Sequence, residues 1–460
     1  MAVLLLVSVV VLGLCISTAL LRWNEMRYRK KGLPPGTMGW PVFGETTEFL
    51  KQGPSYMKNQ RARFGKFFKS HLLGSPVVVS MDPEFNKYIL LNEGKGLVPG
   101  YPQSMVDILG ESNIGGVHGS AHKSLRGTLL AIVSPTMIRE QLLPRLDEFM
   151  RSQLSNWDGR TVDIQEKTKE MALLSAHKQI GIEAYSEALK PEFDKLVQGV
   201  ISLPIDLPGT SYSGGLQARK NMLSILRKTI EERRASSSVQ HDMLGCLMRM
   251  EDSGQHLSDE VIMDIMITIM YSSYETVSTT TMMAVKHLHD NPKALQRIRE
   301  EHFEIRKRKA PGDPIDWNDY KSMKFTRAVI LETMRLATIV NGVLRKTTHD
   351  MELNGYLIPK GWRIYVYMRE ANYDPLLYPE PLTFNPWRWE DKSLEYHNHF
   401  MLFGGGIRLC PGKESGIAEI STFLHYFLTR YRWEEVGGET LEKFPRVRAP
   451  KGLHIKVSGY

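Results

Sequence analysis

Near the carboxyl end of this 460-residue chain stands Phe403-Gly404-Gly405-Gly406-Ile407-Arg408-Leu409-Cys410-Pro411-Gly412. A cysteine can supply a soft thiolate to a metal ion, and glycines without a β-carbon let the backbone pass close to a flat ligand. Arg408 offers a carboxylate a charge-assisted hydrogen bond. A helix starting just after Cys410 would aim its amide hydrogens and dipole at the sulfur, which favours the thiolate. The plainer reading is a glycine-rich loop around a structural cysteine. Composition alone would produce the pattern F-x-x-G-x-R-x-C-x-G on the order of 10⁻⁵ to 10⁻⁴ times in such a chain, so the ligand reading is preferred. The other cysteines, Cys15 and Cys246, form no closely spaced metal or redox pair with it, and three cysteines make no disulfide framework. That count points to a reducing compartment for the bulk of the protein.

A second constellation is Ser272-Ser273-Tyr274-Glu275-Thr276. An acid beside an alcohol can relay protons, which makes Glu275 and Thr276 candidate catalytic residues. The alternative is a threonine that bonds back onto its own helix. A charge in the middle of an apolar helix is costly, and this favours the functional reading.

These residues need elements to hold them. Met137–Trp157, Met222–Arg234, Leu257–His289, Asn291–Arg308 and Ser322–Thr338 carry helical periodicity. Leu257–His289 is long and apolar on most faces, as expected of a helix through the centre of a domain. Asp264, Glu275 and its Ser/Thr residues argue against a membrane span there. Pro76–Ser80 reads as a strand, and Asp350–Leu353, Asn354-Gly355 and Tyr356–Ile358 read as a hairpin. Trp362–Met368 alternates similarly and is expected to extend that hairpin's sheet. The expected class is mainly α with a smaller β region.

The first segment is of another kind. Residues 1–21 hold no charge, and about 20 apolar residues in a helix match the thickness of a bilayer core. Arg22, Arg27, Arg29, Lys30 and Lys31 follow, so residues 1–21 read as a transmembrane anchor with the rest of the chain in the cytosol. A cleaved signal peptide would carry its basic residues ahead of the apolar run. Residues 22–36 read as a basic stop-transfer segment ending in the hinge Leu33-Pro34-Pro35-Gly36, and residues 37–460 as the catalytic domain. The net charge of +8 forms no stripe of the kind nucleic acid requires, and suits a membrane surface or an acidic partner.

The cysteine loop and the acid–alcohol pair together resemble the cytochrome P-450 superfamily. Other landmarks follow in order. Glu332-Thr333-Met334-Arg335 is similar to its E-x-x-R motif, and Arg388 in Phe384-Asn385-Pro386-Trp387-Arg388 sits where the family places a third, structural member. His122-Lys123-Ser124-Leu125-Arg126 resembles its W-x-x-x-R helix, with histidine for tryptophan. Ser273 stands where the family usually has glycine, which bears on activity rather than fold. The resemblance becomes close to the plant brassinosteroid C-6 oxidases (castasterone synthases), through Leu203–Thr210, Met282–Lys286, Ala337–Thr348, Phe423–Gly437 and Pro445–Val457.

The resemblance implies a cytochrome P-450 fold behind one N-terminal transmembrane helix. It implies a haem b whose iron Cys410 holds, with Phe403, Gly404, Arg408, Arg126, His122 and Arg345 as further haem contacts. Electrons would come from NADPH through NADPH-cytochrome P-450 reductase, docked near bases such as Lys413, with O2 as co-substrate. A lipophilic steroid is the implied substrate, oxidised at carbon six of a 6-deoxo brassinosteroid, and no nucleic acid is involved. Candidate cavity residues are Met105, Val106, Leu109, Leu203, Ile205, Met270, Tyr271, Val340 and Val343, each of which core packing would explain equally well. The implied location is the endoplasmic reticulum membrane, single-pass, with the catalytic domain facing the cytosol. Another steroid or triterpenoid substrate stays open, as does a haem-binding protein of low activity.

Overall fold

A computed structural model of the protein describes residues 2–236, 240–252, 257–438 and 440–460. Its internal contacts gather into two compact units. The smaller comprises Met1–Gly100, Val340–Ala371 and Gly405–Ile407, and the larger Tyr101–Ile339, Asn372–Gly404 and Arg408–Tyr460.

In the smaller unit the first helix spans Ala2–Arg27. An 18-residue window of its segment Leu5–Arg27 has a mean hydropathy of 2.3 and no buried residue, and the segment is long and apolar enough to cross a membrane. The foot of this helix is fixed. Asn24 is buried, and its Nδ2 donates to the carbonyls of Met38 and Gly39 at 3.0 and 2.9 Å. The expected hinge is pinned as well. Lys69 N–H donates to Pro35 O at 2.8 Å, and a Cβ on Gly36 would lie 2.0 Å from Lys69 O, so only glycine fits.

Five strands form one sheet in the order Phe67–Leu72, Ser75–Ser80, Arg363–Tyr367, Gly342–Thr347, Leu97–Pro99. Ser75–Ser80 runs parallel to Arg363–Tyr367, and the other pairings are antiparallel. Val77, Val78 and Val79 are all buried, so this strand is covered on both faces. Met351–Leu353 and Tyr356–Ile358 form the expected hairpin. Asn354 and Gly355 turn it with φ of 54° and 76°, as a type I′ turn needs. This hairpin is a separate two-stranded sheet. The expectation that Trp362–Met368 extends it is wrong: Arg363–Tyr367 lies between Ser75–Ser80 and Gly342–Thr347. Period-two patterning identifies a strand but not its neighbours.

The larger unit is helical, with one three-stranded antiparallel sheet of Thr161–Asp163, His454–Gly459 and Tyr431–Glu435. The central helix runs Asp259–Asp290, about 48 Å at 1.5 Å per residue. Ser258 caps it by accepting from Val261 N–H. It packs against Ile164–Ile180, Lys324–Ala337 and Lys413–Arg430. The expected helix Met137–Trp157 is instead a short π turn, Ile138–Leu142, feeding Leu143–Gln153. Pro144 explains the change, since it has no N–H and its ring crowds the carbonyl four residues back. The expected Met222–Arg234 starts earlier, at Ser211, behind a Thr210 cap.

Candidate active site

The cysteine loop closes on itself, for Cys410 N–H donates to Phe403 O at 2.9 Å. Gly404 adopts φ of 76° in this loop. In the smaller unit Gly406 has φ of 63°, and a Cβ on it would lie 2.2 Å from Leu90 O, so the backbone conformation and the space both demand glycine. Helix Lys413–Arg430 begins directly after Gly412, as the sequence predicts. Cys410 is a free thiol with exposed surface. Enough protein nevertheless surrounds it that burial pushes the thiol up, while the Gly412 N–H and the charges of Arg126 and Lys413 pull it down. Exposure and desolvation coexist when a group lies on the floor of a recess.

Arg126 follows His122 by one turn on helix Gly119–Ile132. His122 is buried rather than solvated. Arg126 is half-buried and, among the described residues, has no hydrogen-bond or ion-pair partner. Arg408 is engaged differently from expectation. Its guanidinium donates to the carbonyls of Ile114 at 2.7 Å and Val117, tying the cysteine loop to the chain just ahead of the Arg126 helix. Lys413 sits over the Phe403 ring at 5.2 Å and pairs with Glu395 at 3.3 Å. Arg345, in the smaller unit, is buried and already has an acid partner in Glu93 at 3.1 Å.

Along the central helix burial is nearly continuous from Ile262 to Val285 except at Tyr271–Val277, where Ser272 is exposed and its neighbours half-buried. The hydroxyls here turn inward. Thr276 donates to Ser272 O at 2.7 Å, and Ser273 reaches Ile269 O and Met270 O at 3.1 and 3.2 Å. The back-bonding alternative therefore describes Thr276 in this structure. Ser273 points along its own helix. Glu275 is ion-paired to Arg446 at 2.7 Å. The cysteine helix meets the central helix at this place: a Cβ on Gly416 would be 3.7 Å from Val277 Cγ2. The two constellations, separated by more than a hundred residues in sequence, are thus brought together.

The Glu332 network forms as expected and goes further. Glu332 accepts from Arg335 at 2.8 and 2.9 Å and from Arg388 at 3.1 Å. It also accepts from Trp389 Nε1 and Asn385 N–H, both at 2.9 Å. Burial pushes its carboxyl up, but the arginines and the Asn385 N–H outweigh this and the net direction is down. Of the cavity candidates, Leu109 and Met270 are buried in a packed cluster that Met105 and Tyr271 flank. Burial pushes the Tyr271 phenol up to about 12. Val106 is half-buried, Leu203 and Ile205 are exposed on the loop after helix Ser186–Val200, and Val340 and Val343 belong to the smaller unit.

A haem fits these donors. An exposed free thiol stands before a helix N-terminus, Gly404 in its loop has φ of 76°, Arg126 is half-buried with no partner among the described residues, and the central helix loses its burial over Tyr271–Val277. The family model for cytochrome P450 matches residues 34–457. The chain belongs to the cytochrome P450 family. The chain is 70% identical to cytochrome P450 85A of Phaseolus vulgaris over 99% of its length and 98% of that protein's. It is 68% identical to cytochrome P450 85A1 of Solanum lycopersicum over 97% of each, and 62% identical to cytochrome P450 85A2 of Arabidopsis thaliana over 99% of each. A retinoic acid-bound cyanobacterial CYP120A1 matches 94% of the chain with a TM-score of 0.85 and 27% identity. As a P450 monooxygenase the protein uses haem iron and O2, with electrons from NADPH through a reductase.

Sequence reasoning missed Arg446, Trp389 and Asn385. The last two lie in the Phe384–Trp389 run, where their nearness to Arg388 was a usable signal. Arg446 lies in an irregular segment 171 residues from its partner, and no spacing rule reaches it.

Proposed function

We propose that this P450 oxidises carbon six of 6-deoxo brassinosteroids, taking 6-deoxocastasterone through the 6-alcohol to the 6-ketone castasterone. The observation that carries this reading is identity of 61–70% to cytochrome P450 85A proteins over nearly the whole chain. The intact Cys410 loop and the Glu275–Thr276 pair support it.

In this reading the bound haem supplies activated oxygen, and the chain's residues do the rest. Cys410 would ligate the iron through its sulfur; burial holds its thiol up, and the Gly412 N–H and the charges of Arg126 and Lys413 offset part of this in favour of the thiolate. Arg126, which has no partner among the described residues, would bind a haem carboxylate, with His122 and Phe403 as further haem contacts. Arg408 holds the loop to residues 114–117. Glu275 and Thr276 move protons to the reacting oxygen. The packed apolar cluster around Leu109, Met270 and Tyr271 suits a rigid steroid and excludes water. Helix Ala2–Arg27 anchors the protein in the endoplasmic reticulum membrane as a single span, with the basic residues Arg22–Lys31 and the catalytic part on the cytosolic side.

The test is turnover in microsomes containing a plant reductase, fed 6-deoxocastasterone and NADPH, with products read by mass spectrometry. The expected product is the 6-ketone. A lactone beyond it would reassign the protein to a later, ring-expanding step. No product from a preparation with a normal carbon monoxide difference spectrum would overturn the substrate assignment.

A further inference from the structure

The C-terminal segment brings a charge to the central helix from far away in the sequence. Arg446 Nη1 lies 2.7 Å from Glu275 Oε1, and the two side chains are 34% and 22% exposed. The arginine is not on a loose tail. Glu442 and Arg448 exchange backbone hydrogen bonds of 2.9 Å, closing a short hairpin with Arg446 in its turn. Val447 and Ala449 are buried beside it. Gln165 grips Ala449 in both directions, accepting from its N–H at 2.8 Å and donating to its carbonyl at 2.9 Å. The guanidinium is therefore delivered to a fixed place.

We propose that Arg446 is the positioning residue for Glu275, which makes the hairpin of residues 442–449 part of the enzyme's proton-handling machinery. This rests on the reading of Glu275 and Thr276 as the proton-moving pair. Arg446 keeps its own proton throughout. It holds Glu275 strongly only while that carboxylate is charged. Glu275 takes a proton from a solvent hydronium ion, which is left as water, at the partly exposed end of the pair, and the neutral acid is then free to leave Arg446 and turn toward Thr276. It passes the proton to the Thr276 hydroxyl oxygen as that hydroxyl's own proton moves on, and returns to Arg446 as a carboxylate. Only O–H bonds form and break, and no electrons are transferred.

The other ionisable groups facing the pair are Tyr271 and Tyr274 on the same helix. Asp194, from helix Ser186–Val200, and Glu166, from helix Ile164–Ile180, act on Tyr274. Burial raises both phenols above their ordinary value, so neither contributes an anion at neutral pH. Burial also pushes the Asp194 carboxyl up, against the pull of Lys190 and Lys169.

The experiment compares holoenzymes of wild type, Arg446→Gln, Arg446→Lys, Glu275→Gln and the double variant. It measures NADPH electrons partitioned between steroid product and hydrogen peroxide, and the rate ratio in H2O and D2O. With carboxyl-labelled glutamate, the infrared carboxylate band should shift in Arg446→Gln and show no such shift when Glu275 is already glutamine. Arg446→Gln is expected to raise the peroxide-to-product ratio roughly tenfold and enlarge the solvent isotope effect. Arg446→Lys should recover most of the coupling, and the double variant should be no worse than Glu275→Gln. A wild-type peroxide ratio in Arg446→Gln, with a normal carbon monoxide difference spectrum and an impaired Glu275→Gln, would overturn the positioning role alone. A wild-type ratio in Glu275→Gln would instead remove the proton-moving reading beneath it.

Discussion

Two glutamates of the larger unit are paired to arginines, and their surroundings differ in every respect that matters. Glu332 is fully buried and accepts from Arg335, Arg388, Trp389 and Asn385, while Arg335 also donates to the carbonyls of Asn372 and Pro381 at 2.7 Å. Among the described residues Glu275 has one hydrogen-bonding partner, Arg446, and it keeps partial access to solvent. A carboxylate locked from all sides cannot change charge or orientation without breaking several hydrogen bonds in a low dielectric. A carboxylate held by one partly exposed ion pair can do both with fewer bonds to break and with solvent at hand to screen it. The same two residue types thus make a rivet in one place and a switch in the other, and the number of partners decides which.

The strongest way to break this comparison is Glu332→Gln. Removing one member of a buried charged network leaves uncompensated guanidinium groups, a loss of about 3–5 kcal/mol. The expected outcome is a protein that unfolds far earlier in urea or fails to retain haem. A Glu332→Gln protein as stable as wild type would mean that burial and partner count do not separate the two glutamates.

A second effect sharpens what burial does when no opposite charge is present. His302 and His425 are fully buried, with their Nδ1 atoms 3.1 Å apart, and Thr326 Oγ1 stands 3.0 Å from His302 Nε2. Burial pulls His302 down to about 3 and His425 well below its usual value, the latter helped by His302 and nearby arginines. The native histidines are therefore neutral where an unfolded chain's would be charged. Above about pH 6.5 both states are neutral and stability is unaffected. As the pH falls below that value only the unfolded chain takes up protons, so stability declines until the native values are reached. At pH 5 the loss is about 2 kcal/mol for His302, and His425 adds to it in the same direction. Unfolding followed by far-ultraviolet circular dichroism across pH 7.5 to 5 measures it, and a flat profile would sink the assignment.

How far the sequence revealed all this depends on the distance between partners. Cys410, its glycines and the helix after it are local, and their spacing alone predicts the loop that forms. Glu332 and Arg335 lie one helical turn apart and are equally legible. The central helix was readable within two residues at its start, because apolar periodicity is a local signal. The neighbours of strand Arg363–Tyr367 were not readable, since a strand's alternation is the same beside any partner. Nor was the commitment of Arg408 to the carbonyls of residues 114–117, nor the pairing of Glu275 with Arg446. Long-range polar contacts are set by where the packed core brings irregular segments, and no periodicity encodes that.

The smallest effect concerns Ser273, which stands where the family usually has glycine, at a position from which a hydroxyl can crowd the open stretch of the central helix. It does not point there, for it is within 3.1 and 3.2 Å of the carbonyls of Ile269 and Met270 on its own helix. Serine and glycine in a helix interior differ by about 0.5 kcal/mol in propensity, and the back-bond adds little. Ser273→Gly is thus expected to lower stability by about 0.5 kcal/mol and to leave steroid turnover within about twofold of wild type. Turnover with 6-deoxocastasterone and thermal unfolding of the same preparations measure both. A rise of about tenfold in turnover would show that the hydroxyl swings off its carbonyls into the reaction space. The contrast with Glu275 would then narrow, because a side chain held only by its own helix would prove as mobile as one held by a single ion pair.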